Sequence, residues 1–321
     1  MIAKSVFMLL LFFTPVLLIN LGLTTNPIWL LVLYGFSGLG MAGIGMGIMH
    51  DAIHGSYSKN KKVNKYMGYT LHLIGGSAKV WRIQHNVLHH TYTNVEAVDD
   101  DINAPFFLRF SPHAKRYWLH RFQFLYVWIF YALSTVSWVI SKDFIRFHRF
   151  HKLGLVPAKE NYKKEIVKIS LWKIPYFTYT LVLPLILVPL SFWWVLLGFL
   201  FMHLITGFLI SIVFQVAHVM PDTEYPLPDD DGIIHGNWYV HQLVTTCNFS
   251  PRNRLLSWLI GGLNYQIEHH LLSNICHVHY RKLSKIVKAT AQEFKLPYHV
   301  KSSFGVAILD HARMLRKLGT Q

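Results

Sequence analysis

From Ser5 to Met49 the chain has no Lys, Arg, Asp or Glu. A helix that crosses a bilayer needs ~20 apolar residues, so this run is long enough for two. "TTNP" at 24–27 has the turn chemistry to divide them. A second uncharged run extends from Ile174 to Pro221 and divides near "VPLSFW" at 188–193, where Pro189 favours a helix end. Two helical hairpins are expected, at about 5–23 with 27–49 and about 174–190 with 193–217. The first stretch lacks a convincing cleavage site and is followed at once by a second span. It therefore reads as an anchor rather than a signal peptide.

Composition agrees with a chain partly in lipid. Apolar residues make up 52% of the 321 and charged residues 15%, against roughly 25% charged in average soluble proteins. There is no low-complexity segment and no repeat of fixed period, so one domain is expected. Cys247 and Cys276 are too few for a disulfide framework or an iron–sulfur cluster and read as buried small hydrophobes.

The net charge of +15 would suit nucleic acid, but its placement argues for topology instead. Of the 31 Lys and Arg, one is Lys4, nineteen lie between Lys59 and Lys173, and eleven follow residue 250. Neither hairpin tip has any. By the positive-inside rule both termini and the 50–173 segment are cytoplasmic. The basic face also suits anionic headgroups or an acidic partner. The segment "FQFLYVWIFYALSTVSWVIS" (122–141) is uncharged and about long enough to span. Crossing there would put the basic loop from Lys142 to Lys173 outside, so an in-plane or re-entrant interfacial helix is expected. "LLSWLIGGLNY" (255–265) is too short to span and reads similarly.

The histidines carry the chemistry. "HDAIHGS" places His50 and His54 at i and i+4, on one helical face. "WRIQHNVLHHTYTN" repeats that spacing with His85 and His89, and an α-helix puts His90 about 100° further round. "FQVAHVMP" places His218 at the cytoplasmic end of the fourth span, and "NYQIEHHLLS" holds Gln266, His269 and His270 within two turns. All four groups fall on one side of the membrane. The other twelve, His72, His113, His120, His148, His151, His203, His235, His241, His277, His279, His299 and His311, read as solvated or hydrogen-bonded side chains.

Eight imidazoles exceed the roughly four ligands of one zinc ion. Two metals with four or five ligands each would use them all, the adjacent pairs His89–His90 and His269–His270 each serving both ions. Imidazole suits zinc, iron, copper and nickel alike. Soluble di-iron bundles use mostly Glu, whereas this set is nearly all neutral histidine.

These residues resemble the three histidine boxes of the membrane fatty acid desaturases, HxxxH, HxxHH or HxxxHH, and [HQ]xxHH. "NWYVHQLVTTCNFS" (237–250) with "NYQIEHHLLS", and "HNVLHHTYTNVEAVDDDI" (85–102), are similar to the front-end group. The resemblance covers about residues 40–300. It implies one membrane desaturase domain over 1–321, all-α, with four transmembrane helices in two hairpins under a cytoplasmic helical cap. It also implies a non-haem di-iron centre that activates O₂ and removes two hydrogens from an acyl chain, CoA- or lipid-linked, to leave a cis double bond. The implied ligands are His50, His54, His85, His89, His90, His218, His269 and His270, with Gln266 where other desaturases have a histidine. Asp51, Asp99, Asp100, Asp101 and Glu268 are expected to orient ring N–H groups. No HPGG haem motif of a fused cytochrome b5 domain appears, so a separate donor, a ferredoxin or cytochrome b5, is expected. The alternatives are a sibling membrane hydroxylase or ketolase, a zinc-dependent membrane lipid enzyme, and a transporter. A transporter would place its ligands near the bilayer midplane, where only His203 lies. Gly43 and Gly47, with Gly40 and Gly45, are expected to let helices pack closely.

Overall fold

The computed structural model describes residues 1–157 and 159–321. It is mostly helical. Its packing groups the chain into two compact units: Met1–Ile83 with Phe130–Ser211, and Gln84–Ile129 with Ile212–Gln321.

The first unit holds α1 (Ile2–Asn20) and α2 (Pro27–His54). Pro27 is the first residue of α2, and the Asn26 side chain accepts from Ile28 N, which serves a donor that the helix itself leaves unpaired. The two helices pack backbone to backbone. A Cβ on Gly40 would lie 2.4 Å from Phe12 N, and one on Gly43 would meet the Met8 side chain. Close packing is therefore the role of these two glycines. Met8, Phe12, Ile19, Leu30 and Tyr34 form the buried core with Val195 and Met202.

Among the described residues five helices are long and apolar enough to cross a membrane: α1, α2, α6 (Trp118–Lys152), α7 (Tyr162–Leu187) and α8 (Phe192–His218). Short helices α3 (Lys61–Gly68), α4 (Thr70–Leu73) and α5 (Ala78–Arg82, continuing as a π-helix over Ile83–His89) lie between α2 and α6. Two of the five differ from the sequence pattern. α7 starts twelve residues before the expected span (162 against 174), because Asn161 caps it and Glu165 is held by Lys79 and Lys168. α6 is one helix of 35 residues rather than about twenty.

Two regions of α6 in the first unit are informative. At 131–135 it lies against the middle of α8, where Gly207 has no room for a Cβ beside Ala132 O and Thr135 Oγ1 donates to His203 O at 2.8 Å. At 138–143 it joins the segment that begins α5. Asp143 accepts from Ser77 N (3.0 Å), Trp138 Nε1 (2.9 Å) and Lys173 Nζ (2.8 Å). Ser77 caps α5, so this buried ion pair anchors the start of the helix that carries the second histidine box.

The second unit adds α9 (Trp238–Thr245), α10 (Arg254–Leu259), α11 (Gln266–Leu271), α12 (Tyr280–Glu293) and α13 (Phe304–Thr320). Strands β1 (Cys247–Phe249) and β2 (His299–Lys301) pair in parallel, Asn248 opposite Val300. They bring Tyr298 beside the start of α11. Cys247 is buried, as expected, whereas Cys276 is only half-buried.

Candidate metal centre

The second box begins from a helical irregularity. Over Ile83–His89 the turns are π-helical, and His90 N donates to His85 O at 3.0 Å. An i→i+5 bond stacks residue 90 over residue 85, whereas an α-helix would turn His90 away from His85. The π-turn thus lets His85, His89 and His90 share one face. The rings of His85 and His89 stack at 5.2 Å, and His85 Nε2 lies 3.3 Å from His90 Nε2.

Two clusters of nitrogens follow in the second unit. In the first, the ligating atoms of His89, His218 and His270 lie within 4.8 Å of one another, all buried. Each ring has its Nδ1 beside an acceptor: Asp99 at 3.0 Å for His89, Thr245 O at 3.3 Å for His218, and Gln242 Oε1 at 2.8 Å for His270. An Nδ1–H that donates leaves Nε2 as the lone-pair atom. The buried Nε2 atoms of His89 and His218 have no hydrogen-bond partner among the described residues. In the second cluster His90 Nε2 lies 3.0 Å from His269 Nε2 and 3.3 Å from His85 Nε2. Neighbouring ligands on one ion with bonds of roughly 2.1 Å are about 3.0–3.4 Å apart, so this spacing also fits a cation. His89 and His270 fall in one cluster, His90 and His269 in the other: each adjacent pair divides between the two.

Gln266 starts α11 and is fully buried, with neither amide atom hydrogen-bonded among the described residues. In the first unit, His50 and His54 stand edge to face at 4.8 Å, both against Trp81. Gly55, at φ +80°, ends the helix directly after them.

The carboxylates divide. Asp99 is fully buried and accepts from Asn94 N and Asp101 N as well as facing His89. Burial works against a charged His89, but Asp99 and Asp101 outweigh it and hold the imidazole up at about 9. An ion held at Nε2 would displace that proton. Asp101 lies 3.6 Å from Nδ1 of both His85 and His89. Asp51 is 3.9 Å from His50 Nδ1, and Asp100 is buried. Among the described residues Glu268 orients no ring. Its carboxylate accepts from Asn248 Nδ2 (2.8 Å) and Tyr298 Oη (2.7 Å), and burial pushes it up to about 7. Asn248 also receives Ile267 N at 2.9 Å, so this triangle holds α11 itself.

Sequence reasoning missed Gln242, Thr93, Asn94, Asn248 and Tyr298. Asn94 adopts φ +60° in a fully buried position and reaches His218 O with its Nδ2 at 3.0 Å. That unusual conformation is the one signal the tripeptide "YTN" could not carry. Several other histidines have ordinary partners: His72 with Gly76 O, His241 with Thr93 O, His311 with Val219 O, His235 with Asp229.

Imidazole nitrogens that converge in a buried site, those of His89 and His218 with no hydrogen-bond partner for Nε2 among the described residues, fit bound metal. Apolar helices with such clusters define a membrane protein able to hold metal ions. Comparison with known proteins narrows the class. Residues 25–302 match the fatty acid desaturase family model. The chain is 34% identical over 284 residues to the sn-1 linoleoyl-lipid 6-desaturase of Synechocystis sp., covering 88% of this chain and 78% of that enzyme. It is 36% identical to the acyl-lipid (8-3)-desaturase of Physcomitrium patens, covering 87% of this chain and 58% of the moss enzyme. It is 33% identical to the acyl-lipid (8-3)-desaturase of Mortierella alpina, covering 91% and 66%. The chain thus spans less than two thirds of the moss and fungal proteins. It belongs to the fatty acid desaturase family and is an oxidoreductase of lipid metabolism.

Proposed function

We propose that this protein is a front-end acyl-lipid desaturase that places a new cis double bond in an unsaturated chain esterified to a glycerolipid. The relatives named for acyl-lipid substrates support the lipid carrier. The proposed ligand set is His50, His54, His85, His89, His90, His218, His269 and His270, with Gln266 at the least tightly held position, directly or through a water. When bound, two non-haem irons would supply the O₂ activation needed to remove two hydrogens from a methylene pair. Electrons come from a separate ferredoxin or cytochrome b5.

The protein's own part is preorganisation. Asp99, Gln242 and Thr245 O hold three rings with Nε2 facing inward. Burial keeps water from the site, and the neutral Gln266 amide leaves one position exchangeable. The observation that carries the reading is the convergence of the His89, His218 and His270 nitrogens.

The proposed domain covers 1–321, with four crossings, both termini and the metal centre cytoplasmic. α6 is immersed but returns to its starting side. Support for the return is Asp143, whose partner Ser77 begins the helix of the second box.

The test is fatty acid analysis of a host that expresses the protein with a reductase and donor. A new cis double bond on the carboxyl side of an existing one is expected, and none should form with the donor left out. An hydroxylated product, or no product from iron-loaded protein supplied with donor, would refute the reading.

A further inference from the structure

We infer that Gln242 is a positioning residue that sets the tautomer of His270, taking its own orientation from the backbone carbonyl of His90. Gln242 is fully buried on α9. Its Nε2 lies 3.2 Å from His90 O, and its Oε1 lies 2.8 Å from His270 Nδ1. A carbonyl oxygen only accepts. The amide must therefore present its NH₂ to His90 O, since the flipped amide would set two acceptors against each other in a buried site. With the NH₂ so placed, Oε1 faces His270, and it too only accepts. Nδ1 of His270 must carry the proton, and Nε2 is left with the lone pair.

Two further contacts adjoin this arrangement. Trp238 Nε1, one turn earlier on α9, donates to the same His90 carbonyl at 3.2 Å. Thr93 Oγ1 lies 2.9 Å from Gln242 Oε1, 2.7 Å from His89 O and 3.3 Å from His270 Nδ1, and its one proton goes to one of the two carbonyl oxygens. One amide thus couples the second histidine box to the third. His89 has the carboxylate of Asp99 at the same place, facing its Nδ1. His270 has a neutral group there, which adds no charge to the cluster.

This inference rests on the metal-site reading for its consequence but not for its first test. ¹⁵N-histidine spectra of the metal-free wild-type chain in detergent, in mildly alkaline buffer, report which ring nitrogen of His270 is protonated, the signal being assigned by its loss in His270→Ala. The Nδ1–H form is expected, and the Nε2–H form would overturn the inference whatever the protein binds. The second test titrates ferrous iron anaerobically against a chelator. Losing a hydrogen-bond partner behind a metal-bound histidine typically weakens affinity 10–100-fold. Gln242→Met should show that loss for one of two ions while eluting as the wild type does. Gln242→Glu, which still offers His270 an acceptor, should bind more tightly than Gln242→Met. Equal affinity in wild type and Gln242→Met would overturn the inference alone. A wild type that takes up no metal would refute the metal reading and leave the tautomer to the spectra.

Discussion

His203 and His89 are both completely buried, and they differ in what is left over. His203, midway along α8, gives Nε2 to Tyr176 Oη at 2.8 Å and has Thr135 Oγ1 3.2 Å from Nδ1. Both nitrogens are used, and the ring ties three apolar helices, α6, α7 and α8, together. His89 gives Nδ1 to Asp99 and leaves Nε2 without a partner among the described residues. Burying a polar atom without a hydrogen bond costs about 1–3 kcal/mol. A fold retains that cost where the atom has a ligand. The comparison teaches that burial alone does not mark a functional histidine; the unspent nitrogen does.

The largest effects should therefore separate these two rings. His89→Ala is expected to lose iron and all measurable activity together. His203→Phe should keep two irons per chain and most activity, and should lower stability by about 1–3 kcal/mol through the stranded Tyr176 hydroxyl. Iron analysis and thermal unfolding of both variants decide it. Iron lost equally from both would remove the distinction.

A smaller separation is expected within the site. Gln266 has two unspent amide atoms but is a weaker donor than imidazole. Gln266→Ala should keep most of the iron and lose most of the activity, and Gln266→His should regain part of it. Full turnover by Gln266→Ala would show that its amide takes no part. Asp99→Asn tests the other side of the ring. It replaces one acceptor oxygen by a donor, and iron affinity should fall about 10–100-fold, as for other groups behind metal-bound histidines. Unchanged affinity would mean that the carboxylate does not orient His89.

Much of this was legible in the residues. The uncharged runs marked long apolar helices because lipid excludes charge, and the i, i+4 spacing of His50–His54 and His85–His89 marked shared faces. His90 was legible only as a neighbour. Its inward position depends on an i→i+5 turn, which no residue in "IQHNVLHH" announces. Asp99 was readable because it stands ten residues from His89. Gln242, Asn248 and Tyr298 were not, since their partners His270 and Glu268 are 20 to 30 residues away and meet them only through packing. Glu268 misled for a related reason: adjacency to His269 suggested a ring contact, but on a helix neighbours point apart.

The smallest effect concerns a third kind of buried histidine, one kept neutral for structural reasons. His311 donates Nδ1–H to Val219 O at 2.8 Å, and burial lowers its pKa to about 4. His72, stacked on Trp172 and bonded to Gly76 O, is likewise lowered to about 4, again chiefly by burial. Both have folded-state values below the unfolded value of ~6.5. Between these limits the unfolded chain binds the proton and the folded chain does not, so stability falls as pH drops from about 6.5 towards 4. His311→Phe should remove one share of this slope and His72→Phe the other, whatever either costs at neutral pH. Unfolding temperatures of wild type and both variants across pH 4–7 measure it. A slope that survives both substitutions would assign the acid sensitivity to other groups, and the box histidines would be the first to examine.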